Sequence, residues 1–152
     1  MKKVLFYLFM GFCIAVVLIS CAQSPGVASE PEKADSVKAG GMSIDFKWAR
    51  ENLCESGFSP EITVSGIPEG TARFKVRLRD LNMTSYNHGG GEVENDGSGI
   101  IRAGDLKDYR GPCPPMGDTH RYSFTVQALD AAGKMLAKAE KTVPCNRAMM
   151  KD

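Results

Sequence analysis

Residues 72–79, ARFKVRLR, set Ala72, Phe74, Val76 and Leu78 in strict alternation with Arg73, Lys75, Arg77 and Arg79. Successive side chains of an extended chain point to opposite faces, so this stretch reads as a strand with one apolar and one basic face. A basic outward face serves as solvated surface or as protection against edge pairing, and an acidic partner is its other use. The same period recurs on both sides. Met42, Ile44, Phe46 and Trp48 alternate with Ser43, Asp45 and Lys47; Ile62 and Val64 precede the turn Ile67-Pro68-Glu69-Gly70; Tyr122, Phe124, Val126 and Ala128 alternate with Arg121, Ser123, Thr125 and Gln127. Asp130-Ala131-Ala132-Gly133-Lys134 reads as a turn, residues 135–143 as a last strand or a short helix, and Asp105–Tyr109 as a helical turn. The expected fold class is all-β or β-dominated, a β-sandwich with at most short helices.

Upstream the pattern changes. Lys2 and Lys3 precede an uncharged run from Val4 to Ile19, whose end forms Leu18-Ile19-Ser20-Cys21 with the next two residues. The run is shorter than the ~18–20 apolar residues of a spanning helix. It resembles the signal peptide and lipobox of bacterial lipoproteins, which implies cleavage after residue 20 and acylation of Cys21. Acyl chains would then hold the protein at a membrane of the bacterial cell envelope, facing the periplasm. Ala22, rather than Asp, follows the cysteine, which in enteric-type sorting points to the outer membrane. Residues 21–41 are rich in Ala, Ser, Gly and Pro with alternating charge, a flexible tether spanning roughly 25 Å. The organisation expected is therefore signal peptide 1–20, tether 21–41, folded domain 42–147 and tail 148–152.

The whole chain of 152 residues is 43% hydrophobic and 24% charged, with 19 Lys+Arg against 18 Asp+Glu. That composition excludes global disorder, and its near-neutrality speaks against nucleic acid as a partner. Removal of Lys2 and Lys3 leaves 17 basic against 18 acidic residues. Any affinity for an anion must then come from a few placed groups.

Three Gly/Pro-rich segments stand apart from the strands: Asn87-His88-Gly89-Gly90-Gly91, Gly97-Ser98-Gly99, and Tyr109-Arg110-Gly111-Pro112-Cys113-Pro114-Pro115-Met116-Gly117 ahead of His120-Arg121-Tyr122. His-Gly-Gly-Gly is similar to the oxyanion loop of lipases, but no Gly-x-Ser-x-Gly accompanies it. With only His88 and His120, and no cysteine pair at zinc spacing, neither a metal nor another cofactor is expected. What remains is a small polar pocket. Asp80, both histidines, the Tyr109 and Tyr122 hydroxyls and glycine-exposed N–H groups are its candidate donors, a set suited to a phosphate or carboxylate.

Ser59-Pro60, then Ile62-Thr63-Val64-Ser65-Gly66-Ile67-Pro68-Glu69-Gly70-Thr71, resembles the S-P-x-L-x-W-x-G-V-P-x-G-T segment of phosphatidylethanolamine-binding proteins. The 109–130 segment resembles that family's Y-x-G-P-x-P-P and H-x-Y-x-F-x-x-x-A-L-D elements, and its bacterial Raf-kinase-inhibitor-like branch is the nearest likeness. The resemblance implies a β-sandwich with Greek-key-type sheets and a non-enzymatic pocket for a small anion or phospholipid headgroup. It carries over Asp80, His88, Gly111, Pro112, Pro115, His120 and Tyr122 as ligand-binding residues, beside Tyr109. As in some relatives, the alternative is a protein-interaction module inhibiting a protease or kinase. Asp80-Leu81-Asn82-Met83-Thr84 departs from the family's D-P-D-x-P, and Gly89 replaces a tryptophan, which implies a more open pocket. Of the three cysteines left after Cys13 and Cys21, the family pattern implies a Cys54–Cys113 disulfide, with Cys54–Cys145 as the alternative.

Overall fold

The computed structural model describes residues 41–149. The expected signal peptide, the acylated Cys21, almost all of the tether and the last three residues lie outside them.

Among the described residues, seven strands form two antiparallel sheets. β1 (Ser43–Asp45), β2 (Ile62–Ser65) and β5 (Ile100–Ile101) make a three-stranded sheet in the order β1-β2-β5. β3 (Arg73–Asp80), β4 (Gly90–Glu94), β6 (His120–Leu129) and β7 (Met135–Cys145) make a four-stranded sheet in the order β4-β3-β6-β7. After β4 the chain crosses to the first sheet for β5 and returns to lay β6 beside β3. The helical elements are single 3-10 turns, such as Arg50–Asn52 and Cys54–Ser56.

Period-2 patterning decides which face turns inward. Phe74, Val76 and Leu78 of β3 and Phe124, Val126 and Ala128 of β6 are buried against Ile44, Ile62, Val64 and Ile101 of the other sheet. Phe124 is fully buried, with Phe46 edge-on at 4.9 Å and Tyr109 stacked at 6.3 Å between centroids. A buried phenylalanine of this kind is worth about 3–5 kcal/mol against alanine. On the opposite face Lys75, Arg77 and Arg79 are exposed.

Four local readings are resolved or corrected. Residues 135–143 are strand, part of β7, whose outward Lys138 and Glu140 alternate with inward Ala137 and Ala139. Asp105–Tyr109 is no helix but a single turn closed by Tyr109 N–H to the Leu106 carbonyl. The pattern over 42–48 hydrogen-bonds as a strand only at Ser43–Asp45, where it pairs with Thr63–Ser65 of β2. The glycine segment at 89–91 does not stand apart from the strands: Gly90 and Gly91 open β4, facing Arg77 and Val76 of β3.

Candidate functional site

β3 and β6 carry the site at one end of their shared ladder. Their register pairs Asp80 with Tyr122, and His120 precedes Tyr122 by two residues on the same face. That face is the apolar one, so the alternation that buries Leu78 also delivers Asp80 into the interior at 3% exposure. His120 donates from Nδ1 to Asp80 Oδ2 at 2.7 Å. Asp80 Oδ1 accepts the N–H groups of Asn82 and Met83 at 2.7 and 3.0 Å. Burial pushes the Asp80 carboxyl up, but these bonds, with one from the Tyr122 hydroxyl, outweigh it and hold the group below the usual carboxylate range. Tyr122 moves the other way. Desolvation first, then the Asp80 charge, raise its hydroxyl well above the ordinary phenol value, so it stays protonated.

The second histidine arrives from the segment ahead of β4. His88 is 3% exposed, and its Nδ1 lies 2.8 Å from the Arg110 carbonyl. A carbonyl only accepts, so this nitrogen carries the proton. Arg110 N–H returns a bond to the His88 carbonyl at 3.0 Å. Tyr122 stands between the histidines, edge-on to His88 at 5.3 Å and stacked on His120 at 6.2 Å between centroids. Each imidazole thus spends Nδ1 on the protein and leaves Nε2 without a hydrogen-bond partner among the described residues.

Asp80, His88, His120 and Tyr122 are therefore brought together. The other expected residues serve as framework. Tyr109 gives its hydroxyl to the Asn52 carbonyl at 2.7 Å, which removes it as a pocket donor. Gly111 N–H bonds the Cys54 carbonyl, and the Pro112 carbonyl accepts Cys54 N–H. A Cβ on Gly111 would lie 2.1 Å from the Asn52 carbonyl oxygen, so only glycine permits this approach. Pro115 is exposed on the loop ahead of His120. Cys54 and Cys113 form a disulfide across these contacts, and Cys145 is a buried free thiol.

One expectation about the pocket changes. The glycines do not present bare N–H groups: Gly89 donates to Asn87 Oδ1 and Gly90 to the Asp108 carbonyl. Their service is close approach. Gly89 and Gly90 have φ of +67° and +148°, and a Cβ would lie 1.8 Å from Asp108 O and 2.1 Å from Val76 O respectively. The cluster itself lies inside the fold. Asp80, His88 and Tyr122 are all buried, and Tyr86 packs against His88 at 4.6 Å. Sequence reasoning missed Tyr86; its only signal was an aromatic two residues before a candidate histidine.

Comparison with known proteins agrees with this architecture. The family model described as phosphatidylethanolamine-binding protein matches residues 85–151, a span holding His88, His120 and Tyr122 but not Asp80. YbcL of Escherichia coli, a member of the mammalian phosphatidylethanolamine-binding protein family, superposes with a TM-score of 0.52 at 20% identity, over 69% of this chain and 98% of its own. A phosphatidylethanolamine-binding protein homologue from Chlamydia trachomatis superposes with a TM-score of 0.52 at 18% identity, over 69% and 97%. Among curated proteins there is no match.

Proposed function

We propose that the chain, whose residues 85–151 match the phosphatidylethanolamine-binding protein family model, is a member of that family and a non-enzymatic, lipid-anchored binding protein whose Asp80–His88–His120–Tyr122 cluster takes a small anion or phospholipid headgroup. The observation that carries this reading is the paired use of Nδ1. His88 and His120 are each oriented by a protein acceptor, so both keep Nε2 for a ligand. When protonated, both present an N–H, the donor an anionic oxygen needs. Asp80 fixes the His120 ring, and the Tyr122 hydroxyl braces the same carboxylate. Tyr86 packs on His88 with its side chain half out in solvent, beside the cluster.

The anchor rests on Leu18-Ile19-Ser20-Cys21, which supports attachment through an acylated Cys21 to an envelope membrane on the periplasmic side. The two halves are tested separately. In NMR titrations with phosphate, acetate and phosphoethanolamine, imidazole signals of His88 and His120 shift; no shift with any of them removes the pocket. In cells expressing the full chain, Cys21→Ser moves the protein from the membrane to the soluble fraction. An unchanged distribution removes the lipid anchor.

A further inference from the structure

A groove of about 600 Å³ opens on the outer face of the four-stranded sheet, where β4 meets residues 108–110. Its size is that of small-molecule sites. It is separate from the Asp80 cluster, which lies on the inner face of the same sheet. Gly89, Gly90 and Gly91 line it, so that part of the wall is backbone. The strand register sets Gly90 opposite Arg77, and the cross-strand position beside this guanidinium therefore carries no side chain.

The charges around the groove are unevenly spent. Glu92 is engaged by Arg73 at 3.2 Å and by Lys75 at 3.4 Å. Arg77, Arg110 and the Asp108 carboxylate also line it, and none of them has an ion pair or side-chain hydrogen bond among the described residues. Two free guanidiniums with one free carboxylate form a mixed set. A polyanion would meet repulsion from Asp108, and an apolar molecule would make no use of the three charges. A small molecule with one anionic group and a nearby ammonium satisfies them all. The guanidinium fork suits a phosphate and a carboxylate equally.

We propose that this groove is a second ligand site, which holds the phosphate or carboxylate of a small zwitterion with Arg77 and Arg110 and its ammonium with Asp108. The proposal stands independently of the inner cluster.

The test is an NMR titration of the folded protein with O-phosphoethanolamine, β-alanine and inorganic phosphate, following the Arg77 and Arg110 Nε–Hε signals and the amides of residues 89–91. Both outer-face signals shift with a zwitterion, and the better of the two zwitterions identifies the preferred anion. Arg77→Gln and Arg110→Gln each weaken binding by about tenfold or more. Asp108→Asn weakens the zwitterion but not inorganic phosphate, and His120→Ala leaves these shifts unchanged. All four variants are checked for native thermal unfolding first; Arg77, Asp108 and Arg110 are exposed, so their substitutions leave the core intact. Absent shifts at Arg77 and Arg110, wild-type affinity in both glutamine variants, or inorganic phosphate binding as tightly as either zwitterion overturns the proposal. Shifts confined to His88 and His120 overturn it while leaving the inner site standing.

Discussion

His120 Nδ1 lies 2.7 Å from Asp80 Oδ2, which ties the first residue of β6 to the last residue of β3. The other oxygen of that carboxylate holds the Asn82 and Met83 amides, so one buried side chain organises both the histidine and the start of the following loop. Asp80→Ala strands these donors and costs about 2–3 kcal/mol, the scale of bonds to a buried charged group. Asp80→Asn, which keeps one carbonyl acceptor, costs less. Urea unfolding measures both, and equal losses in the two variants would contradict this ordering.

Stability should also follow the titration of Asp80. Burial raises its pKa, yet the bonds from His120, Asn82, Met83 and Tyr122 bring the folded value below the ordinary one. A depressed carboxyl contributes fully above its unfolded value of about 3.9, and the contribution is lost as pH falls through the folded value. The melting temperature of the wild type therefore drops more steeply on acidification below about pH 4 than that of Asp80→Asn. Parallel profiles would show that Asp80 is not the titrating group.

Gly89 offers a contrast between strain alone and strain with collision. Gly89 and Gly70 both have positive φ, +67° and +80°, but a Cβ on Gly70 meets open space whereas one on Gly89 runs into the Asp108 carbonyl. Gly70→Ala should cost about 1–2 kcal/mol, the left-handed penalty. Gly89→Ala should cost more, because the His88–Arg110 backbone pairing must open as well. Thermal unfolding orders the two, and the His88 imidazole signal moves only in the second.

The Cys54–Cys113 bridge closes a separation of 59 residues beside the Gly111–Cys54 backbone bonds. Reduction should destabilise the domain by about 2–4 kcal/mol, read from denaturation with and without reductant. Cys145 behaves differently. Burial pushes its thiol up to about 11, and 1% exposure shields it. A thiol reagent should label this cysteine only after unfolding, whereas labelling of the native protein would place Cys145 at the surface.

Strand periodicity made most of the sandwich legible. In ARFKVRLR and in residues 121–128, the alternation that an extended backbone imposes is itself the rule that buries one face, so the inward residues were readable one by one. The histidines and Asp80 were nameable from motif likeness, since local residue order is all a motif requires.

What the sequence could not express was partnership across the chain. Gly89 and Gly90 look like a loop donating free amides, but their use is set by Val76 and Asp108, which come within reach only when β3 and residues 108–110 flank them. Tyr109 looks like a ligand hydroxyl until the fold brings up the Asn52 carbonyl, 57 positions away, to accept it. The outer groove likewise exists only because the β3–β4 register sets Arg77 against a glycine. Local order thus determined the strands and the roster of chemical groups. Tertiary register decided which of those groups are spent on the protein and which remain for a ligand, because a hydrogen bond is satisfied by whatever lies within about 3 Å in space, however distant it is along the chain.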